Sequence, residues 1–97
     1  MSALTELADK SISEIEAETA TVWAGRSLAS FQLFFNSGDI GRLLDAEEFM
    51  HEALEHAALS EHFELLAELG PKLVEAARAA REHASQLVYQ GMFGPVP

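Results

Sequence analysis

At 97 residues the chain has the length of one ordinary domain, and with no cysteine it lacks disulfides, thiolate zinc sites and cysteine nucleophiles together. Sixteen acidic against six basic side chains give a formal charge of −10. Such a surface repels phosphate backbones, which argues against direct nucleic-acid binding, and it attracts metal ions or a basic protein surface.

The acid is unevenly spread. Residues 1–70 hold 14 Asp or Glu against Lys10, Arg26 and Arg42, whereas residues 71–97 hold Glu75 and Glu82 against Lys72, Arg78 and Arg81. The opening MSALTELADK has no basic flank leading into an apolar run, and no stretch approaches the roughly 20 apolar residues of a membrane span. A cytoplasmic protein without membrane contact is the expectation.

In chain order, residues 3–36 read as one long helix. Leu4, Ala8, Ile12, Ile15, Thr19, Val22, Trp23, Ala29, Leu33 and Phe34 recur at steps of three and four, which gathers them on one face at about 100° per residue. Gly25 lies inside the run and costs about 1 kcal/mol relative to alanine. Asn36-Ser37-Gly38-Asp39 is a break, with Gly38 suited to a left-handed cap and Asp39 to capping the next helix. A second helix is predicted over 40–59; Asp45 and Glu48 have capping-box spacing and offer Ala46 as an alternative start.

From Ser60 the helix either continues to Leu69 or bends. Gly70-Pro71 is expected to end it and to open a third helix over 71–90, capped by Gly91, with Leu73, Ala76, Ala77, Ala80, Ala84, Leu87 and Val88 as its apolar stripe. The reading is therefore all-α. Residues 1–91 form a single domain, a long antiparallel helical hairpin plus a third C-terminal helix that completes a four-helix-type bundle by dimerisation. Residues 92–97 form an apolar tail in which Met92 and Phe93 are candidate docking side chains.

Three ionisable residues fall on the predicted apolar faces: Arg26 on the first helix, Glu47 and His51 on the second. With Asn36 opposite Ile40, Arg26 comes level with Met50, between Glu47 and His51. A buried Arg26–Glu47–His51 network follows, because an unpaired buried guanidinium costs several kcal/mol. Fixing helix register is its favoured role, and a ligand or partner site is the alternative. By the same levels His62 falls beside Glu16, and Trp23 beside Ala53 as a core side chain.

Glu48-Phe49-Met50-His51 is a Glu-x-x-His run, and Glu52 with His56 repeats the pairing of carboxylate and imidazole four residues apart. In this run the chain resembles the ferritin-like di-iron carboxylate proteins, in particular the small half-ferritins that complete a four-helix bundle by dimerising. The resemblance implies iron, or zinc, held by Glu48, His51, Glu52 and His56 together with Glu16 or Glu18 of the first helix. The residues themselves, without the resemblance, require no cofactor. They show no glycine-rich phosphate loop and no convincing serine, histidine and acid set, which makes an enzyme the lesser expectation.

The favoured function is a small acidic interaction protein: an adaptor, assembly subunit or inhibitor covering a basic surface on a larger protein, itself a homo-oligomer. Glu48, Glu52, Glu55 and His56, turned away from the core, are its candidate contacts. An iron-handling protein and an acidic mimic of nucleic acid that blocks a basic enzyme are the alternatives.

Overall fold

A computed structural model describes the backbone of residues 2–93 and the side chains of residues 12–91. It is all-α: α1 (Ser2–Ser37), α2 (Ile40–Leu59) and α3 (Phe63–Phe93), with no strand among the described residues. Among the described residues no helix is long and apolar enough to cross a membrane. The three helices run up, down and up in a slender body of 75 × 19 × 15 Å.

The first turn is built as the residue types require. Gly38 takes φ 72°, where a Cβ is costly, and its N–H donates to the Phe34 carbonyl at 2.7 Å to close α1. The Asp39 carboxylate then accepts from the Gly41 N–H at 2.9 Å. This cap starts α2 at Ile40, so the alternative start at Ala46 is not used.

The second turn departs from expectation. α2 ends at Leu59, Ser60 closes it by donating its N–H to the His56 carbonyl at 2.9 Å, and Glu61 turns the chain at φ 59°. α3 then runs unbroken from Phe63 through Gly70-Pro71 and past Gly91 to Phe93. The predicted helix start at Pro71 is thus corrected. Proline removes only one amide donor, here at an exposed site where water reaches the freed carbonyl, and the preceding glycine has no Cβ to clash with the ring. Met92 and Phe93 are helical in their backbone rather than part of a tail. Their docking role, like the side chains of Leu4 and Ala8, falls outside the described side chains.

The larger correction concerns which face of α1 is buried. Ile12, Ile15, Val22 and Leu33 are exposed, whereas Phe34 of the predicted stripe is buried together with Ala20, Ala24, Ser27, Ser30 and Phe31. They meet Leu43, Ala46, Ala53 and Ala57 of α2. Alanine and serine let the two backbones approach toward the close end of the usual helix separation, about 8 Å. Serine hydroxyls of α1 then reach carbonyls of α2: Ser27 Oγ donates to Ala46 at 2.8 Å, Ser30 Oγ to Arg42 at 2.9 Å and Ser13 Oγ to Ser60 at 2.6 Å. Close backbone contact along the whole hairpin outweighs burial of the branched aliphatic stripe.

α3 covers the turn end of this hairpin. Ala77 and Ala80 join Phe31, Phe34, Leu43 and Ala46 in one apolar cluster, with Phe35, Met50, Ala84 and Leu87 packed against it. Leu73 joins Ala24 and Ala53 in a second, with Trp23, Met50, Leu54 and Leu69 around it. Trp23, expected as a core side chain beside Ala53, packs half-buried against the cluster that contains Ala53. His83 sits against the Phe34 and Phe35 rings, with centroids 5.6 and 5.5 Å away. Full burial of Phe31, Phe34 and Leu73 stabilises the fold by about 1.5–3 kcal/mol each.

Candidate functional site

The hydrogen bonds across the hairpin set its register. Ser27 lies opposite Ala46 and Ser30 opposite Arg42, so Arg26 is level with Ala46 and Glu47 rather than Met50. The expected buried Arg26–Glu47–His51 network is accordingly not formed. Arg26 is exposed and lies over the Trp23 ring, 5.2 Å from its centroid. His51 is exposed on the outer side of α2. Glu47 is half-buried and turns toward α3, accepting from Arg81 Nε and Nη2 at 2.9 and 3.0 Å. Two causes combine: the register is about one turn off, and the stripe carrying Arg26 is about 100° from the seam.

The register also redistributes the histidines. Glu16 bonds His56 Nδ1 rather than His62, and Glu52 lies 3.6 Å from His56 Nε2. His62 instead faces the Ser13 hydroxyl at 3.2 Å. The hydrogen bond His56 donates to the Glu16 carboxylate, opposed by partial burial and helped by the charges of Glu16, Glu52 and Glu55, holds the His56 imidazole above its ordinary value. Of the residues named as metal ligands, Glu16, Glu52 and His56 adjoin at the open end of the hairpin. Glu18, Glu48 and His51 are exposed. Among the described residues no three His, Asp or Glu side chains converge to hold an ion.

The helices divide the remaining surface into two sides. On α1, Ala24, Phe31 and Phe35 look toward α3, and the line Ser13, Glu16, Ser27 and Ser30 looks toward α2. The aliphatic stripe falls on the far side of that line from α3. On α2, Leu43, Glu47 and Met50 look toward α3, so Asp45, Glu48, Glu52 and Glu55 also lie away from it. One surface thus presents two parallel bands, an apolar one on α1 and an acidic one on α2. Trp23 and Phe49 pack between them, 5.4 Å apart.

The apolar band is well exposed: Ile12 at 59%, Ile15 at 57%, Val22 at 54% and Leu33 at 46%. In the acidic band, spacings of three, four and three residues bring like charges together, each pair destabilising the helix by about 0.2–0.5 kcal/mol. Of the candidate partner contacts, Glu48 and Glu55 are exposed here, Glu52 is half-buried, and His56 is engaged by Glu16. A groove of about 330 Å³ on the opposite side, between α2 and α3, is lined by Met50, Val74, Ala77, Arg78 and Arg81.

The small-residue seam was missed because apolar size, not helix proximity, guided the choice of face. A signal for it exists in Ala20, Ala24 and Ser27, matched by Ala46, Ala53 and Ala57, all at helical spacing. Comparison with protein-family models, with curated proteins and with solved structures found no match to the chain.

Proposed function

We propose that the chain is a non-catalytic interaction protein, an adaptor, assembly subunit or inhibitor, that covers a basic surface on a larger protein and itself works as a homo-oligomer. One observation carries the reading. Asp45, Glu48, Glu52 and Glu55 share one side of α2, and of these only Glu52 has a cationic neighbour within ion-pair distance among the described residues, the imidazole of His56. A helix that tolerates this repulsion gains when a cationic surface is laid on it. The partly stacked Trp23 and Phe49 beside the band add an aromatic contact of the kind that anchors interfaces.

Titration with a synthetic Lys/Arg-rich helical peptide, followed residue by residue by NMR, tests the reading. Shifts confined to Asp45–Glu55 and their α1 neighbours, weakening as salt is added, are expected. Shifts scattered over every acidic residue of the chain, or none, overturn it.

A further inference from the structure

The apolar band does not fit the same partner as the acidic one. Ile12, Ile15, Thr19, Val22, Arg26, Ala29 and Leu33 are separated by alternating steps of three and four, the heptad pattern by which one helix packs along another. Arg26 stands within that stripe and disfavours a basic occupant.

Four aliphatic side chains of the stripe, Ile12, Ile15, Val22 and Leu33, stand 46–59% exposed on one face, apolar surface that a second copy laid along it removes from water. The band is also close to symmetric about Val22, with Ile12 and Leu33 at its ends and Thr19 and Arg26 flanking the middle.

We propose that α1 pairs antiparallel with α1 of a second copy along this stripe, crossing near Val22. The proposal rests on the interaction-protein reading and supplies its oligomer interface. Charge selects the direction. A parallel pair sets Arg26 against Arg26, while an antiparallel pair sets it across from the Ile15–Thr19 segment, where the exposed Glu18 lies on the rim. The interface is isologous and closes as a dimer. Two chains of −10 repel, so added salt tightens this pairing, opposite in sign to its effect on a basic partner.

The absence of cysteine lets single introduced thiols report the geometry. Light scattering of the full chain is expected to give twice the chain mass, with dissociation shifting to lower protein concentration as salt rises. Val22→Cys is expected to cross-link to itself under oxidation or with a short thiol-reactive linker. Ile12→Cys and Leu33→Cys cross-link when mixed together but not alone. Val22→Glu halves the mass with helical circular dichroism retained, while Leu44→Glu, on the outer side of α2, leaves it unchanged. If Val22→Glu loses its helicity, the thiol pattern decides.

A single-chain mass at every salt concentration, or self-cross-linking of Ile12→Cys alone, overturns the antiparallel pair. A monomer that still binds the basic peptide removes this proposal and the homo-oligomer part of the proposed function, and leaves the basic-partner reading standing. A dimer that does not bind it removes only the partner reading.

Discussion

Arg26 marks how much a single position depends on its surroundings. Buried and paired, it would have destabilised the fold by several kcal/mol on removal. Exposed over Trp23, Arg26→Ala costs less than about 1 kcal/mol, the value of a solvent-facing cation–π contact, and urea denaturation of the variant measures it. Gly25 behaves the opposite way. Nothing lies within 4 Å of the Cβ it lacks, so Gly25→Ala raises stability by about 1 kcal/mol through helix propensity alone. A loss in the same denaturation experiment would place an unseen neighbour there. His56 gives the pH dependence. Folding raises its proton affinity through Glu16, so this pair stabilises the protein fully below 6.5, the ordinary histidine value, and progressively less as pH climbs through the raised one. Glu16→Gln should return the His56 titration toward 6.5, read by imidazole NMR, and flatten that part of the stability profile. Residues whose role is set by their neighbours in sequence, such as Gly38 and Asp39, were legible before the structure. Arg26, Glu47 and His56 were not, because a shift of one turn exchanges every partner across the hairpin.

At the scale of the element, helix existence followed from the three-and-four periodicity and helix ends from capping chemistry, except where proline misled. Pro71 stands in the ninth position of α3 yet does not end it. The choice of buried face was less legible for α1, since its apolar residues surround the helix and hydropathy favours the branched stripe over the alanine and serine line. What decides is a property of two helices together: Ala20, Ala24 and Ser27 are useful only because Ala46, Ala53 and Ala57 are small in return. This makes the seam sensitive to bulk. Ala46→Leu, at a site with no exposed surface, is expected to destabilise by about 1–3 kcal/mol or more through overpacking, although leucine is an equally good helix former. An equal gain in bulk at Ala29, on the exposed stripe, should leave the monomer's thermal midpoint nearly unchanged. Equal effects at the two sites would mean that the seam is looser than its serine-to-carbonyl bonds imply.

Across the whole molecule, stability is concentrated where all three helices overlap. Both clusters of large buried side chains lie there, around Phe31, Phe34 and Leu43 and around Ala24, Ala53 and Leu73. Toward its open end the hairpin lies outside both clusters and is tied by Ser13, Glu16 and Ala20 against Ser60, His56 and their neighbours. Local opening follows buried apolar contact, so amide exchange should be graded along the long axis. Amides of Phe31–Phe34, Leu43–Ala53 and Leu73–Ala80 are expected to exchange most slowly. Those of 12–20 and 56–60 should be at least about tenfold faster, the ratio that about 1.4 kcal/mol of opening free energy produces. A second copy lying along α1 changes this gradient selectively: protection over 12–20 rises with protein concentration while that of α3 does not. In Val22→Glu the concentration dependence disappears and the gradient stays. Uniform exchange over all three helices would instead show a bundle that opens as one unit, in which the open end draws its stability from α3 and not from a partner.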